Sequence, residues 1–322
     1  MKYFKKVIVV FFIMNLSFIL ISCQKSNKVY FQTNGGESLK SSKIKEYSDF
    51  NSSHIPNKDG YVFMGWYVDE NLEIEYKPDE HNSSPELRLY AKWQIPSNFT
   101  REEIVNLYIK AYDKHVEAKN MEVVAEGLVK TSAIIVGEIN QRLKSTKKVN
   151  DSNIYQLTAS YSSLAAMFFE VQGTKEDITL KTGEANSKLE IGKVKNEEKS
   201  NEDLHREKYG VLPNELNYIV NDETVVEAKE YVYSNNKHQF TLILDNEKSV
   251  VNYLKNIKAT NQYDSKPAIF ESIKLIVVIG VDGYFEKITY NEKYTVEVKA
   301  PIIGWSDQPM NGNITEIFKY TK

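Results

Sequence analysis

One cysteine in 322 residues excludes any disulfide within the chain and leaves a cysteine-ligated structural zinc site without ligands. Basic charge is not in excess. The 41 Lys+Arg stand against 44 Asp+Glu, a formal net charge of -3, which argues against the basic face that nucleic acid needs. The five histidines, His54, His81, His115, His205 and His238, fall in no metal-ligand spacing, so no metal or other cofactor is expected. His115 continues the apolar side of a helix and reads as a packed residue, while Asp203-Leu204-His205 reads as part of a solvated loop. A G-x-S-x-G elbow and a phosphate-binding Walker loop are missing, and pairs such as Glu102-Glu103 and Glu197-Glu198 sit in polar runs as surface charge. Asp282-Gly283 has no calcium-loop pattern around it and reads as a hairpin turn. Catalysis therefore has no positive support, and the chain is expected not to be an enzyme.

What is present is an ordinary globular composition, 41% hydrophobic and 26% charged, rich in the aromatics that favour strands, with 21 Tyr and 14 Phe. The first six residues carry Lys2, Lys5 and Lys6, and 7–21 is almost purely apolar, the pattern of a secretory signal. That stretch falls short of the roughly 20 residues a spanning helix needs. It ends in Leu20-Ile21-Ser22-Cys23, which resembles the lipobox of bacterial lipoproteins. The resemblance implies cleavage before Cys23 and acylation of its thiol with diacylglyceryl and palmitate-type chains, with Leu20, Ile21 and Ser22 read by the signal peptidase. Cutting there removes three lysines and no acid, leaving 38 basic against 44 acidic residues, a net charge of -6. The implied location is the extracytoplasmic face of the cell membrane, with residues 23–27 as a polar tether and the lipid anchor as the membrane partner.

Between 28 and 94 three blocks stand out. A short apolar run containing Phe31 ends at Asn34-Gly35-Gly36. Pro56 is followed by Gly60-Tyr61, Phe63 and Gly65-Trp66-Tyr67. The segment closes on Leu89-Tyr90-Ala91-Lys92-Trp93. Asn-Gly-Gly and Asp59-Gly60 are turn signals, and the blocks around them alternate as half-buried strands do. In this order and spacing they resemble the Listeria–Bacteroides repeat, or internalin B-repeat, found in bacterial surface proteins and usually in tandem, here as one copy. The resemblance implies a small β-grasp-like domain. Trp66, Tyr61, Phe63, Tyr90 and Trp93 are expected to form its core, since a domain this small has little else to bury.

Residues 95–100 read as a linker ending in Thr100, whose spacing from Glu103 makes a capping box for a helix to about 119 with Ile104, Leu107, Tyr108 and Ala111 on one face. The period then changes to two. Strands are expected at 122–130, 132–143, 155–172 (broken or bent), 177–182 and 187–194, then a loop over 195–203 and a short helix opening near Pro213-Asn214. Two hairpins follow, 224–233 with 238–244 and 273–281 with 285–290, with a helix over 247–257 between them and closing strands at 294–299 and 314–320. The fold class expected for the chain is α+β. The small repeat domain precedes a larger domain, 101–322, with a curved antiparallel sheet and packed helices. That element order resembles the lipoprotein-carrier half-barrel, which implies an apolar cavity. The function expected is a membrane-anchored surface lipoprotein that binds or adheres without catalysis, its ligand a protein, glycan or lipid. The alternative is a carrier or sensor of an apolar ligand through 101–322. A third, a hydrolase, requires a cleft holding carboxylates with shifted pKa values.

Overall fold

The structure, a computed structural model, describes residues 27–44, 54–81, 86–133, 137–163, 165–260, 266–300 and 304–321. Leu20, Ile21, Ser22 and Cys23 lie outside the described residues, as do the signal and most of the tether.

A four-stranded sheet comes first, formed by β1 (Asn27–Gln32), β2 (Ser42–Ile44), β3 (Val62–Tyr67) and β4 (Glu86–Gln94), in the order β2-β1-β4-β3. β1 and β4 run parallel and the other pairs antiparallel. A four-residue helix, α1 (Pro78–His81), precedes β4. Val29, Trp66, Tyr76, Leu89 and Ala91 make the buried centre.

The linker leads into α2 (Arg101–Glu117), which opens as its sequence dictates. The Thr100 side chain accepts from the Glu103 amide, and the Glu103 carboxylate accepts from the Thr100 amide. Its buried face is Ile104, Val105, Tyr108, Ala111 and His115, one helical stripe.

Eleven antiparallel strands then form one open sheet. In chain order they are β5 (Asn120–Ala133), β6 (Gly137–Asn150), β7 (Asn153–Tyr161), β8 (Ala166–Thr174), β9 (Ile178–Ala185), β10 (Ile191–Ser200), β11 (Val225–Ser234), β12 (Lys237–Leu244), β13 (Ile269–Ile279), β14 (Phe285–Ala300) and β15 (Gly304–Tyr320). Their spatial order is β10-β9-β8-β7-β6-β5-β15-β14-β13-β12-β11. Two meanders are thus joined where the last strand, β15, pairs with the first, β5. Tight turns carry the residues such turns demand: Asn235 and Asn236, both with positive φ, link β11 to β12, and Asp151 with φ 52° links β6 to β7. Two short helices complete the large domain, α3 (Glu202–Tyr209) and α4 (Val251–Thr260), and they pack on each other.

The α+β expectation is overturned: the chain is mostly β, fifteen strands against four helices among the described residues. The helices are too short and too few to form a layer of their own. α1 belongs to the small sheet, α2 leads into the large one, and α3 and α4 are inserts between its strands. Strand content was underread where charge hid it. Residues 195–200, expected to form a loop, belong to edge strand β10, whose residues stay almost wholly exposed and so need no apolar face. The run 155–172 is a hairpin of two strands, and 294–299 is the end of the sixteen-residue β14. Asp203-Leu204-His205, taken for a solvated loop, lies in α3, and the helix expected from 213 is instead non-helical chain.

Candidate functional site

The sheet register places chosen side chains in rows on the face that meets the helices. One row runs Ile288, Glu316, Ala125, Ser145, Thr158, Phe169, Thr182 and Asn196 across eight neighbouring strands. The next runs Phe318, Val123, Lys147, Gln156, Val171, Leu180 and Glu198. Because side chains alternate with period two, every member of a row shares one face. Between these rows and the covering segment α3, 210–218 and α4 lies a cavity of about 590 Å³. Its walls are mixed. Val129, Leu143, Phe169, Leu180, Leu212, Ile257 and Ile314 are apolar, while Gln141, Ser145, Gln156, Thr158 and Ser160 are polar. The polar members partly satisfy one another: Gln141 donates to Ser160 at 2.9 Å, and the Ser145 and Thr158 hydroxyls are 2.8 Å apart.

The cover is held by charge. Arg206 donates to both oxygens of Glu215 at 2.6 Å and also to Glu202, while the Leu212 amide donates to Glu215. A two-pronged guanidinium–carboxylate contact fixes direction as well as distance, so 210–216 is strapped to α3. The Glu215 contact is the main reason the Arg206 pKa rises.

Ionisable groups stand on the cavity floor. Lys147 and Glu316, both nearly buried, pair at 3.4 Å, and the Tyr290 hydroxyl donates to the other Glu316 oxygen at 2.8 Å. Glu292, on β14, is 4% exposed, and its Oε2 has no hydrogen-bond partner in the protein. Burial pushes its carboxyl up to about 7. The facing Tyr218 and Tyr253 hydroxyls oppose that rise and the Glu316 charge adds to it. Burial likewise pushes Tyr218, Tyr253, Tyr290 and Tyr294 above the ordinary phenol value. His205 lines the cavity from α3, its Nδ1 without a partner. Burial, then the Arg206 and Lys208 charges, lower it to about 4. His115, expected to be packed, is 2% exposed at 2.9 Å from the Tyr320 hydroxyl, and burial with the Lys147 charge lowers it to about 4. The described residues hold no group of three or more His, Cys, Asp or Glu side chains arranged to take a metal.

The small domain has a different geometry. Phe31, Phe63, Trp66 and Trp93 form a ring cluster, with Phe31–Trp66 at 4.9 Å, Phe63–Trp66 at 5.3 Å and Phe63–Trp93 at 5.5 Å. Trp93 Nε1 donates to the Thr33 carbonyl and Trp66 Nε1 to the His54 carbonyl. Residues 28–92 match the Listeria-Bacteroides repeat domain family. Over this segment the chain is similar to that repeat family. The chain is 34% identical over 67 residues to each of two provisionally named membrane proteins of Evansella cellulosilytica, the second described as Gly-rich. Each match covers 21% of this chain and 10% and 8% of the relatives, so the chain spans about a tenth of their length. Among solved structures, that of a DUF1329 family protein from Desulfovibrio piger aligns with 67% of this chain and 89% of its own, at 9% identity and a TM-score of 0.23. No described helix is long and apolar enough to cross a membrane.

Within the repeat domain the motif residues divide between turn, core and surface. Asn34 and Gly35 both have positive φ, and Asn34 Nδ2 donates to the Ala91 carbonyl at 2.8 Å. Gly36 is required by packing, because a Cβ there would lie 2.4 Å from the Trp93 ring. Gly60 turns the chain into β3, and Gly65 sits at a bulge opposite β4. Pro56, Trp66, Tyr67, Leu89 and Ala91 are buried, with Phe63 and Trp93 packed at the margin. Two expected core residues are not in the core. Tyr61 is 42% exposed beneath Lys58 Nζ, 4.4 Å from its ring, and half-buried Tyr90 turns its hydroxyl to Glu70. A phenol at the surface keeps its hydroxyl hydrated, a demand the indoles meet with backbone carbonyls. Lys92 lies over Tyr67, 4.7 Å from the ring centre.

The repeat motif brings its own residues together, but it contributes none to the cavity, whose lining comes entirely from 125–316. Sequence reading missed Lys147, Glu292 and Glu316. The available signal was one acid inside an alternating apolar series: Ile288, Tyr290, Glu292, Tyr294 on β14, and Ile314, Glu316, Phe318 on β15.

Proposed function

We propose that this chain is a surface lipoprotein anchored through Cys23, whose large sheet binds an apolar or amphiphilic ligand without chemically altering it. The observation that carries this reading is the cavity of about 590 Å³ between the inward face of the sheet and the strapped cover. It falls within the ~300–1,000 Å³ of small-ligand sites, and its mixed walls suit a molecule with an apolar body and a polar end. The lipobox and the repeat domain support an extracytoplasmic membrane position for that activity. The similarity over 67 residues to two provisionally named membrane proteins points the same way. The mature protein expressed in its host, extracted and analysed by native mass spectrometry, is expected to retain a co-purifying small amphiphile. Cys23→Ala is expected to move the protein from the membrane fraction to the soluble fraction. A ligand-free protein that also takes up no alkyl probe overturns the binding claim, and a Cys23→Ala protein still in the membrane fraction overturns the anchor.

Adhesion through the repeat domain is the weaker reading, because the motif residues are spent on turns and on the small core. Hydrolysis can point to Glu292 and its raised pKa. Glu316, the acid that acts on it, is already engaged by Lys147 and Tyr290. A carboxylate so engaged is poorly placed to orient water or attack a substrate.

A further inference from the structure

Four tyrosines surround one buried carboxylate in the cavity. Tyr218 meets Tyr253 edge to face at 5.4 Å and stacks with Tyr290 at 5.7 Å. Tyr294 flanks Glu292 two residues along β14, on the same face. Tyr290 spends its hydroxyl on Glu316 and so can offer the cavity only its ring. Glu292 Oε2 and the Tyr218 hydroxyl, on residues 4% and 5% exposed, face each other without closing a well-formed hydrogen bond, so the carboxylate is approached by phenol dipoles and by no counter-charge. The floor beneath is bare, since a Cβ on Gly312 would stand 3.3 Å from Glu292 Oε2. The lysines that line the cavity are paired elsewhere, Lys147 with Glu316, Lys195 with Glu184 and Lys208 with Glu198.

A buried carboxylate without a counter-charge is unfavourable unless it takes a proton or a cation. Tyrosine faces are negative, so a ring of them around that carboxylate attracts a diffuse cation and repels an anion. A second acid on the same floor, Glu316, disfavours an anionic group further. We infer that Glu292 with Tyr218, Tyr253, Tyr290 and Tyr294 forms a subsite for a cationic ammonium, the head group of an amphiphile whose chain lies along Val129, Leu143, Phe169 and Leu180. The assignment rests on the ligand-binding reading of the cavity and adds the charge and chemical class of the ligand.

The test compares three probes of equal chain length on the full mature protein at pH 8, each below its micelle concentration: decyltrimethylammonium, decanoate and decan-1-ol. Calorimetric titration is expected to give decyltrimethylammonium at least about tenfold tighter binding than either other probe. Glu292→Gln is expected to remove about tenfold of that affinity while leaving decan-1-ol unchanged. Tyr253→Leu is expected to weaken the ammonium severalfold and Tyr253→Phe to retain it, because the ring face and not the hydroxyl makes the contact. Each variant's fold is checked by circular dichroism, and Tyr253, on a surface helix, gives a readout if Glu292→Gln does not fold. Equal affinity for all three probes, or an ammonium affinity indifferent to Glu292→Gln and Tyr253→Leu, overturns the subsite and leaves the cavity reading standing. Failure of all three probes to bind overturns both.

Discussion

Strands β11–β14 and strands β5–β9 belong to one sheet, yet the faces they turn toward the helices differ. On β12, β13 and the start of β14 the sheet presents Phe240, Leu242, Leu244, Ile273, Leu275, Val277, Ile279 and Phe285, nearly all inaccessible, in one core with Ile104, Val105, Tyr108 and Ala111 of α2. Under α3 and α4 the same period of two brings inward Gln141, Ser145, Lys147, Thr158 and Ser160 among apolar neighbours, and the space stays open. The first half is a core. The second is a container built with the same backbone. The difference shows that β pairing alone does not decide whether a sheet face is filled. The inward residues decide it, because polar and ionic groups there need partners and hold apolar side chains apart.

If the two halves differ as described, truncations should cost unequal amounts. Phe240→Ala, in the closed half, should lose about 4 kcal/mol of unfolding free energy, whereas Leu143→Ala, on the open wall, should lose about 1. Urea denaturation midpoints at constant slope measure both. Equal losses would mean that the cavity wall is as tightly packed as the core and would erase the comparison.

The second prediction concerns the ion pair of the open half. Lys147→Met should cost about 3 kcal/mol by leaving Glu316 with only Tyr290, and the double variant Lys147→Met/Glu316→Gln should recover most of it. A single variant as stable as the parent would show that cavity water already hydrates the pair, making the open half wetter than its burial indicates.

The smallest expected effect has a distinctive pH signature. Glu292 titrates near 7 in the folded chain against an ordinary value near 4.5. Since the folded-state value is raised, its contribution to stability is complete below about pH 4.5 and is lost as pH rises through about 7. Burial sets that value first; the Tyr218 and Tyr253 hydroxyls hold it down and the Glu316 charge adds to it. Glu292→Gln should therefore stabilise the ligand-free protein by about 2 kcal/mol at pH 8 and hardly at all at pH 4.5, read from thermal melting at both values. A gain independent of pH would assign the effect to packing.

Local chemistry explains which parts of this molecule can be read from its residues. The capping box at Thr100, the Asp282-Gly283 hairpin and the Asn34-Gly36 turn depend on neighbours in sequence, and each is visible there. The helix expected over 247–257 is α4, shifted toward the C-terminus. Strand content beyond residue 143 was hidden because the inward face of β6, with the sequence GEINQRLKSTKKVN, mixes Ile139, Leu143 and Val149 with Gln141, Ser145 and Lys147. Its inward residues line a cavity and are themselves mixed. Glu292 and Glu316 look like ordinary strand acids until the pairing of β14 with β15 and of β15 with β5 puts them on one floor with Lys147. That information is long-range, carried by strand order, and no local pattern holds it.

The linker between the two sheets has a further consequence. The Ser97 amide donates to the Tyr231 carbonyl at 2.7 Å, Gln94 reaches the Tyr233 carbonyl, and Phe99 stacks on Tyr231 at 3.8 Å. All three contacts fall on β11, the outermost strand at one side of the large sheet and one already broken by bulges. Its unpaired carbonyls would otherwise be open to strand addition from another molecule. At the opposite border β10 carries Lys193, Lys195, Glu197, Glu198 and Lys199 and two register shifts. An eleven-stranded sheet is thereby kept from polymerising at both ends, by a tethered neighbour on one side and by charge on the other. At high concentration such molecules would not extend one another's sheets.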